Sequence, residues 1–154
     1  MATRSFIAMK TCTDFNGVYC HWDGYLEHAG RILRQHYTDP AKVVELIEHG
    51  DISSLQAEIG SPHGPEWDYP RGSLPEATTF YGRDYGRNDW GRPTSEITLE
   101  GIMDHANQRG CEYFYLFAGG QWSYAERVAQ YVGLSDGSPF SDLGPLPPRI
   151  GDAA

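Results

Sequence analysis

The sequence predicts one α+β domain with a mainly antiparallel sheet and about three helices packed on one face. Turn dipeptides near both ends of the chain favour a hairpin at each end: Asn16-Gly17 and Gly119-Gly120 lie between aromatic and β-branched runs. Segments with helical spacing lie between the two hairpins. The resulting order of strand, strand, helix, helix, strand, helix, strand and strand is typical of the α+β class. A length of 154 residues suits one domain.

The first two strands are predicted at residues 3–10 and 18–22. Period-2 alternation divides the second strand between two faces: Val18, Cys20 and Trp22 on the core face, and Tyr19, His21 and Asp23 on the other. The second set places a phenol, an imidazole and a carboxylate in a row. Two interpretations stay open, a half-exposed sheet face with solvated polar groups or one wall of a polar pocket.

The helices are predicted from apolar spacing and from capping residues. Residues 25–37 carry an apolar stripe with helical spacing. Asp39 before Pro40 is a typical N-cap followed by proline at the first helical position, and Gly50 suits the end of this second helix. Thr98 is expected to cap a third helix over residues 99–109.

The remaining segments are predicted with less regular patterns. Residues 51–55 are interpreted as a turn or a further helix start, residues 77–81 as a third strand, and residues 112–117 as an aromatic strand that turns at Gly119-Gly120. Residues 60–76 and 84–94 have the composition of long loops. The predicted domain therefore covers residues 1–132, and residues 133–154 form an extended or disordered tail.

Composition limits the classes of function. The chain has 12 basic and 21 acidic side chains, a formal net charge of −9, which argues against direct nucleic-acid binding and against an anionic membrane surface. No apolar run has the length of a transmembrane helix, and the N-terminal apolar segment is too short for a secretory signal. The predicted location is therefore the cytoplasm of a host cell.

Motifs for metal binding and catalysis are weak. His21, Asp23 and His28 could converge where the second strand meets the first helix, but the spacing of a metal site is absent, and we predict neither metal nor cofactor. Cys12, Cys20 and Cys111 are an odd set without the pattern of a disulfide framework. The serines at 53 and 54 lack the glycine context of a hydrolase nucleophile. We expect a binding protein rather than an enzyme and assign no catalytic residue.

The strongest functional pattern is a repeated aromatic-Gly-Arg triplet in residues 81–92. Three Arg against two Asp give this segment a charge of +1. An Arg guanidinium matches a phosphate bidentately, and Tyr and Trp rings can stack on a base. The alternative is a surface loop with Arg–Asp pairs. With the polar face of the second strand, the repeat predicts a ligand site composed of His21, Trp22, Asp23, Tyr25, Tyr81, Arg83 and Asp84.

Several runs together resemble a family of small phage and prophage proteins of unknown function. They are TRSFIA at 3–8, YCHWDGY at 19–25, HY at 36–37, GDISSL at 50–55 and YGRD at 81–84. The likeness covers about residues 3–124 and leaves out the proline-rich insertion and the tail after Gly133. It implies an origin in a mobile element. Small acidic accessory proteins of phages often counter host defence, which implies a non-enzymatic counter-defence factor.

The sequence therefore predicts three alternative functions. The first is sequestration of a small nucleotide-like signal in the polar and aromatic pocket. The second is an acidic inhibitor, of the anti-CRISPR or another anti-nuclease kind, that occupies a basic groove of a host defence protein. That function requires clustered carboxylates, including Glu45, Glu48, Asp51 and Glu58. The third is an unrecognised hydrolase. The sequence leaves a homo-oligomer open and predicts no membrane partner.

Overall fold

A computed structural model describes residues 2–62, 77–86, 92–128 and 139–147 of the chain. Its strands are β1 Ser5–Lys10, β2 Phe15–Trp22, β3 Ile52–Ser54, β4 Thr79–Phe80, β5 Thr94–Glu96, β6 Tyr113–Ala118, β7 Gln121–Glu126 and β8 Gly144–Pro145. Its helices are α1 Arg31–His36, entered through the π-helical turn Leu26–Gly30, then α2 Pro40–Glu48, α3 Tyr81–Tyr85 and α4 Leu99–Gln108.

All eight described strands belong to one mixed sheet: seven follow the order β4-β3-β2-β1-β6-β7-β8, and β5 lies off this path beside β2. β1 pairs antiparallel with β2 and parallel with β6. The other edge of β2 is shared, because β5 pairs antiparallel with its first half and β3 pairs parallel with its second half. The remaining pairs are antiparallel. The predicted α+β class, with one domain, is confirmed.

Both faces of the sheet carry a hydrophobic core. α1 and α2 cover the face that includes Ile7 and Tyr115. α4 covers the opposite face, where Phe6 and Phe114 lie. The expectation that the helices share one face therefore does not hold. The reason is that neighbouring residues of β1 and β6 are large, apolar and fully buried, so each face of these central strands needs a cover.

The first hairpin turns earlier than the sequence indicates. Its turn lies at residues 11–14, where the Thr11 N–H donates to the Asp14 carbonyl at 2.8 Å. Asn16-Gly17, the predicted turn, is instead part of β2 and faces β1. Gly17 is required there because the Phe6 ring occupies the position of a Cβ atom. The packing of Phe6 therefore overrides the turn preference of the dipeptide.

Local signals elsewhere give the expected structure. Gly119 and Gly120, with φ of +59° and +77°, form the turn between β6 and β7. The Asp39 carboxylate accepts from the Ala41 N–H, and the Thr98 hydroxyl accepts from the Gly101 N–H. The predicted N-caps of α2 and α4 are thus confirmed.

Three segments differ from their predicted structure. Residues 52–54 form β3 rather than a turn or a helix start, because they find a parallel partner in β2. The third predicted strand shortens to β4, and the chain enters α3 directly after it, so the start of the expected 84–94 loop is helical. Residues 139–147 are extended beside β7, with Phe140 and Leu146 buried. The rest of the expected tail, residues 63–76 of the first expected loop and residues 87–91 of the second lie outside the described residues.

None of the helices in the described ranges combines the length and the apolar character that a bilayer span requires.

Gly17→Ala should destabilise the protein by about 1–3 kcal/mol, because the added methyl overlaps the Phe6 ring within a packed core. Urea unfolding followed by tryptophan fluorescence measures the change. Gly144→Ala is the matched control, since a Cβ there would meet no atom within 4 Å. Equal stability of the two variants would contradict the packing of Phe6 on Gly17.

Candidate functional site

The polar face of β2 holds a hydrogen-bonded tyrosine–histidine pair. The Tyr19 hydroxyl lies 2.7 Å from His21 Nδ1. Burial raises the pKa of Tyr19 to about 12, so the phenol keeps its proton at neutral pH. Burial, followed by the nearby Arg4 charge, lowers the pKa of His21 from its usual 6.5, so the imidazole is neutral. We infer that the phenol donates to Nδ1, which leaves the proton on Nε2 available to a ligand.

Asp51 and Arg109 hold this pair from the side of β3. The Asp51 carboxylate is buried; one oxygen accepts the Tyr19 N–H at 2.9 Å and the other lies 3.0 Å from Arg109 Nη2. Tyr19 falls between the parts of β2 that pair with β5 and β3, so its N–H has no strand partner on that edge. The Arg109 guanidinium lies 4.2 Å above the Tyr19 ring. The C-terminal end of α4 is thereby tied to β2.

Arg4 completes the arrangement. It precedes β1, and its carbonyl accepts the Glu112 N–H at 2.8 Å. Its guanidinium lies near Gly110 at the end of α4. Its positive charge partly offsets the effect of burial on the pKa of Tyr19 and adds to the lowering of the pKa of His21. The side chain is exposed and makes no hydrogen bond or ion pair with the described part of the chain. We call Arg4, Tyr19, His21, Asp51 and Arg109 the β2 cluster; two Arg against one Asp give it a charge of +1.

An aromatic pair lies beside the β2 cluster. The Tyr81 N–H donates to the Asp51 carbonyl at 3.2 Å, which places the start of α3 next to the buried carboxylate. The Tyr81 and Tyr85 rings stack with centroids 5.6 Å apart and an interplanar angle of 29°. Tyr81 also contributes to the raised pKa of Tyr19, so the two phenols are close.

The seven predicted site residues do not form one site. His21 belongs to the β2 cluster, Tyr81 lies beside it, and the Trp22 ring meets His21 edge-on at 4.6 Å. Asp23 and Tyr25 form a separate group after the strand. Asp23 adopts a left-handed φ of +54°, and its charge is the main cause of the raised pKa of Tyr25.

Arg83 and Asp84 stabilise the fold instead of facing His21. Arg83 Nε donates to Asp84 at 3.0 Å, and its terminal nitrogens donate to the carbonyls of Ile59, Gly60 and Thr78. Asp84 is buried and also accepts the Phe80 N–H at 2.8 Å. No hydrogen bond or ion pair of Arg83 reaches His21 or Asp23. Arg83, which the sequence predicts to bind a phosphate, is therefore a clamp that holds residues 59–60 against β4.

Tyr25 lines an open groove of about 570 Å³. We call it the tyrosine groove; its lining residues are Thr3, Tyr25, Glu112, Tyr113, Glu126, Arg127 and Val128. Tyr113 donates a hydrogen bond to Glu126 at 3.3 Å. Among the predicted site residues, Tyr25 alone reaches this groove.

The four acidic residues expected on one face, Glu45, Glu48, Asp51 and Glu58, differ in their exposure. Asp51 is buried and bound to Arg109. Glu58 lies 3.6 Å from Lys42, and Glu45 lies 3.9 Å from His49. Asp51 is therefore buried away from any partner protein, whereas Glu45, Glu48 and Glu58 are exposed.

Metal ligands do not converge in the described ranges, which contain no group of three or more His, Cys, Asp or Glu side chains able to hold an ion. The His28 ring nitrogen Nε2 lies 3.0 Å from the Leu55 carbonyl. Cys20 and Cys111 are buried, and burial raises the pKa of each thiol to about 12. These thiols are core groups.

Sequence reasoning missed Arg4, Asp51 and Arg109. Alternation along β1 could have placed Arg4 on the face of Phe6, which packs in the same core as Tyr19. Asp51 and Arg109 carry no comparable local signal, because their partners lie far away in the sequence.

Comparison of the chain with protein-family models, with curated proteins and with solved structures gave no match. The candidate site therefore rests on its own geometry.

Arg83→Ala should lower the free energy of unfolding by about 3 kcal/mol, because it leaves the buried Asp84 carboxylate without its cation. Thermal and urea unfolding measure the loss. Arg34→Ala, at an exposed position of α1, is the control and should be close to neutral. If both variants unfold alike, Arg83 is not a clamp.

Arg4→Gln should raise the pKa of His21, because a positive charge that opposes protonation is removed. An NMR titration of the His21 Cε1–H signal measures the direction of the shift. Arg34→Gln should leave it unchanged. An unaltered pKa in Arg4→Gln would show that the two side chains are not neighbours.

Proposed function

We propose that the β2 cluster binds a small nucleotide-like ligand, with its phosphate on Arg4 and Arg109 and its base beside Tyr81 and Tyr85. The observation that carries the proposal is the Arg4 guanidinium. It is exposed beside a buried phenol and a neutral imidazole, and no described carboxylate neutralises it. Its planar donor fork suits a phosphate oxygen pair.

Arg109 supplies a second, oriented cation. Asp51 fixes one of its terminal nitrogens at 3.0 Å, and the Tyr19 ring supports the guanidinium from below. Its side chain is one-third exposed, so the remaining donors can reach a ligand. A side chain that is already ordered loses less rotamer freedom on binding.

The tyrosine–histidine pair adds neutral donors to these cations. The Nε2 proton of His21 can donate to a phosphate oxygen while Tyr19 holds the ring in place. The stacked rings of Tyr81 and Tyr85 lie beside these donors, and stacking of a base on an aromatic ring is worth about 1–3 kcal/mol in single-stranded nucleic-acid sites.

The size of the charged patch favours a small ligand over a polymer. The β2 cluster carries +1 within a chain of −9. A nucleic-acid strand would meet acidic surface beyond the cluster, whereas a nucleotide or cyclic dinucleotide contacts only the cluster itself.

The biological role that fits this chemistry is sequestration of a nucleotide signal of host defence by a non-enzymatic accessory protein of a phage or other mobile element. The resemblance described above supports that context. The acidic-inhibitor alternative loses one member of its expected surface, because Asp51 is buried and bound to Arg109. No observation in the described residues favours a hydrolase.

Arg4→Gln should weaken binding of the nucleotide about 10- to 100-fold, since a hydrogen bond to a charged group is worth about 1.5–3 kcal/mol. A thermal-shift panel of nucleotides, cyclic dinucleotides and inorganic phosphate identifies the ligand, and calorimetry then compares the variants. Arg34→Gln is the matched control. The proposal fails if no member of the panel stabilises the protein, or if both variants bind equally well.

A further inference from the structure

The Tyr113 ring of the tyrosine groove lies on the opposite face of the sheet from the Tyr19 ring of the β2 cluster. Tyr113 packs against the core beneath α1 and α2, whereas Tyr19 belongs to the core beneath α4. The Gly24 N–H donates to the Thr3 carbonyl at 2.8 Å, which fixes the segment before Tyr25 to the start of β1. The groove's volume of about 570 Å³ lies within the range typical of small-molecule sites.

Negative charge surrounds the two phenols of the groove. Four carboxylates act on them: Asp23, Glu27, Glu112 and Glu126. The Asp23 charge is the largest cause of the raised pKa of Tyr25. Burial raises the pKa of Tyr113, and Glu126 adds to that shift. An anionic ligand would be repelled here.

Among the described residues that line the groove, the single cation, Arg127, is already engaged. Arg127 Nε donates to the Cys111 carbonyl at 2.9 Å, and Nη2 donates to the Asn107 carbonyl at 3.4 Å. Its guanidinium also lies 5.1 Å from the centre of the Phe140 ring. The groove therefore keeps an excess of negative charge around its tyrosine rings.

We propose that the tyrosine groove is a second binding site and that it takes an organic cation with an alkylammonium or guanidinium group. The rings of Tyr25 and Tyr113 attract such a group through their π-faces. Glu112 and Glu126 line the same cavity and accept its hydrogen bonds. A cavity with aromatic walls and carboxylates suits this class of ligand better than an inorganic ion, which would not use the rings.

The test is an NMR titration of the full chain with putrescine, with 1,4-butanediol as an uncharged probe of equal chain length. Putrescine should shift the ring signals of Tyr25 and Tyr113 in a saturable way, and butanediol should not. Absence of a saturable putrescine shift, or an equal response to both probes, overturns the proposal.

Variants locate the binding. Glu112→Gln and Glu126→Gln should each weaken putrescine binding about three- to fivefold, and Tyr25→Leu about two- to fivefold. Glu100→Gln, at an exposed position of α4 on the other face, is the control. If the groove variants bind as tightly as the control, the cation binds elsewhere and the proposal is wrong.

A final titration distinguishes two sources of such a cation, a free amine and a side chain of a basic polypeptide. A lysine tetrapeptide that binds more tightly than putrescine and depends on the same carboxylates supports a side chain of a basic polypeptide as the ligand. Tighter binding of putrescine supports a free amine. This site and the β2 cluster share no lining side chain, so nucleotide binding and putrescine binding are measured separately and the two proposals can fail independently.

Discussion

The buried carboxylate of Asp51 is the interaction on which the arrangement of the β2 face depends. One oxygen satisfies the Tyr19 N–H and the other binds Arg109, while the backbone carbonyl of the same residue accepts the Tyr81 N–H. A carboxylate in a protein interior costs several kcal/mol unless charge and hydrogen bonds compensate it. Here both oxygens are compensated, and the same contacts join β2, the end of α4 and the start of α3.

The consequence is a site that combines one fixed cation with one free cation. Arg109 is held by Asp51 and by the Tyr19 ring, so its position is set before any ligand arrives. Within the described ranges, Arg4 is anchored through its backbone alone, at the junction of β1 and β6. Such a pair combines preorganisation with the capacity to adjust to a ligand, because only the Arg4 side chain has rotamer freedom left to lose.

Local signals in the sequence were sufficient for part of the fold. The caps at Asp39 and Thr98 and the turn at Gly119-Gly120 follow from contacts within a few residues, and these predictions hold. Asn16-Gly17 carries the same kind of signal, but the distant Phe6 ring decides its structure. β3 was missed because a parallel pair depends on a partner about thirty residues away.

The same difference between local signals and distant contacts explains which residues of the candidate site the sequence predicted. The sequence shows that Arg83 is close to a strand end, but it does not show whether the guanidinium finds carbonyl partners in residues 59–60. The sequence does place His21 on the polar face of β2, because alternation along one strand is a local pattern. The cation beside His21 is Arg4, just before the neighbouring strand β1, and the fixed cation is Arg109, at the C-terminal end of the distant helix α4. Whether the guanidinium donors of an arginine find partners within the protein depends on residues that are distant in the sequence.

The opposite charges of the two sites also bear on selectivity. Interactions between exposed charges are screened beyond about 8 Å at physiological ionic strength, so a +1 cluster acts only on groups that come into contact with it. The surplus of acidic residues across the rest of the chain then disfavours any anion too large for the cluster. The tyrosine groove, whose Tyr113 ring lies on the opposite face of the sheet from Tyr19, belongs to that acidic surface. The proposed function uses this difference: a small phosphate ligand and a nucleic-acid strand differ in how far their charge extends, so a +1 cluster in a chain of −9 favours the small ligand.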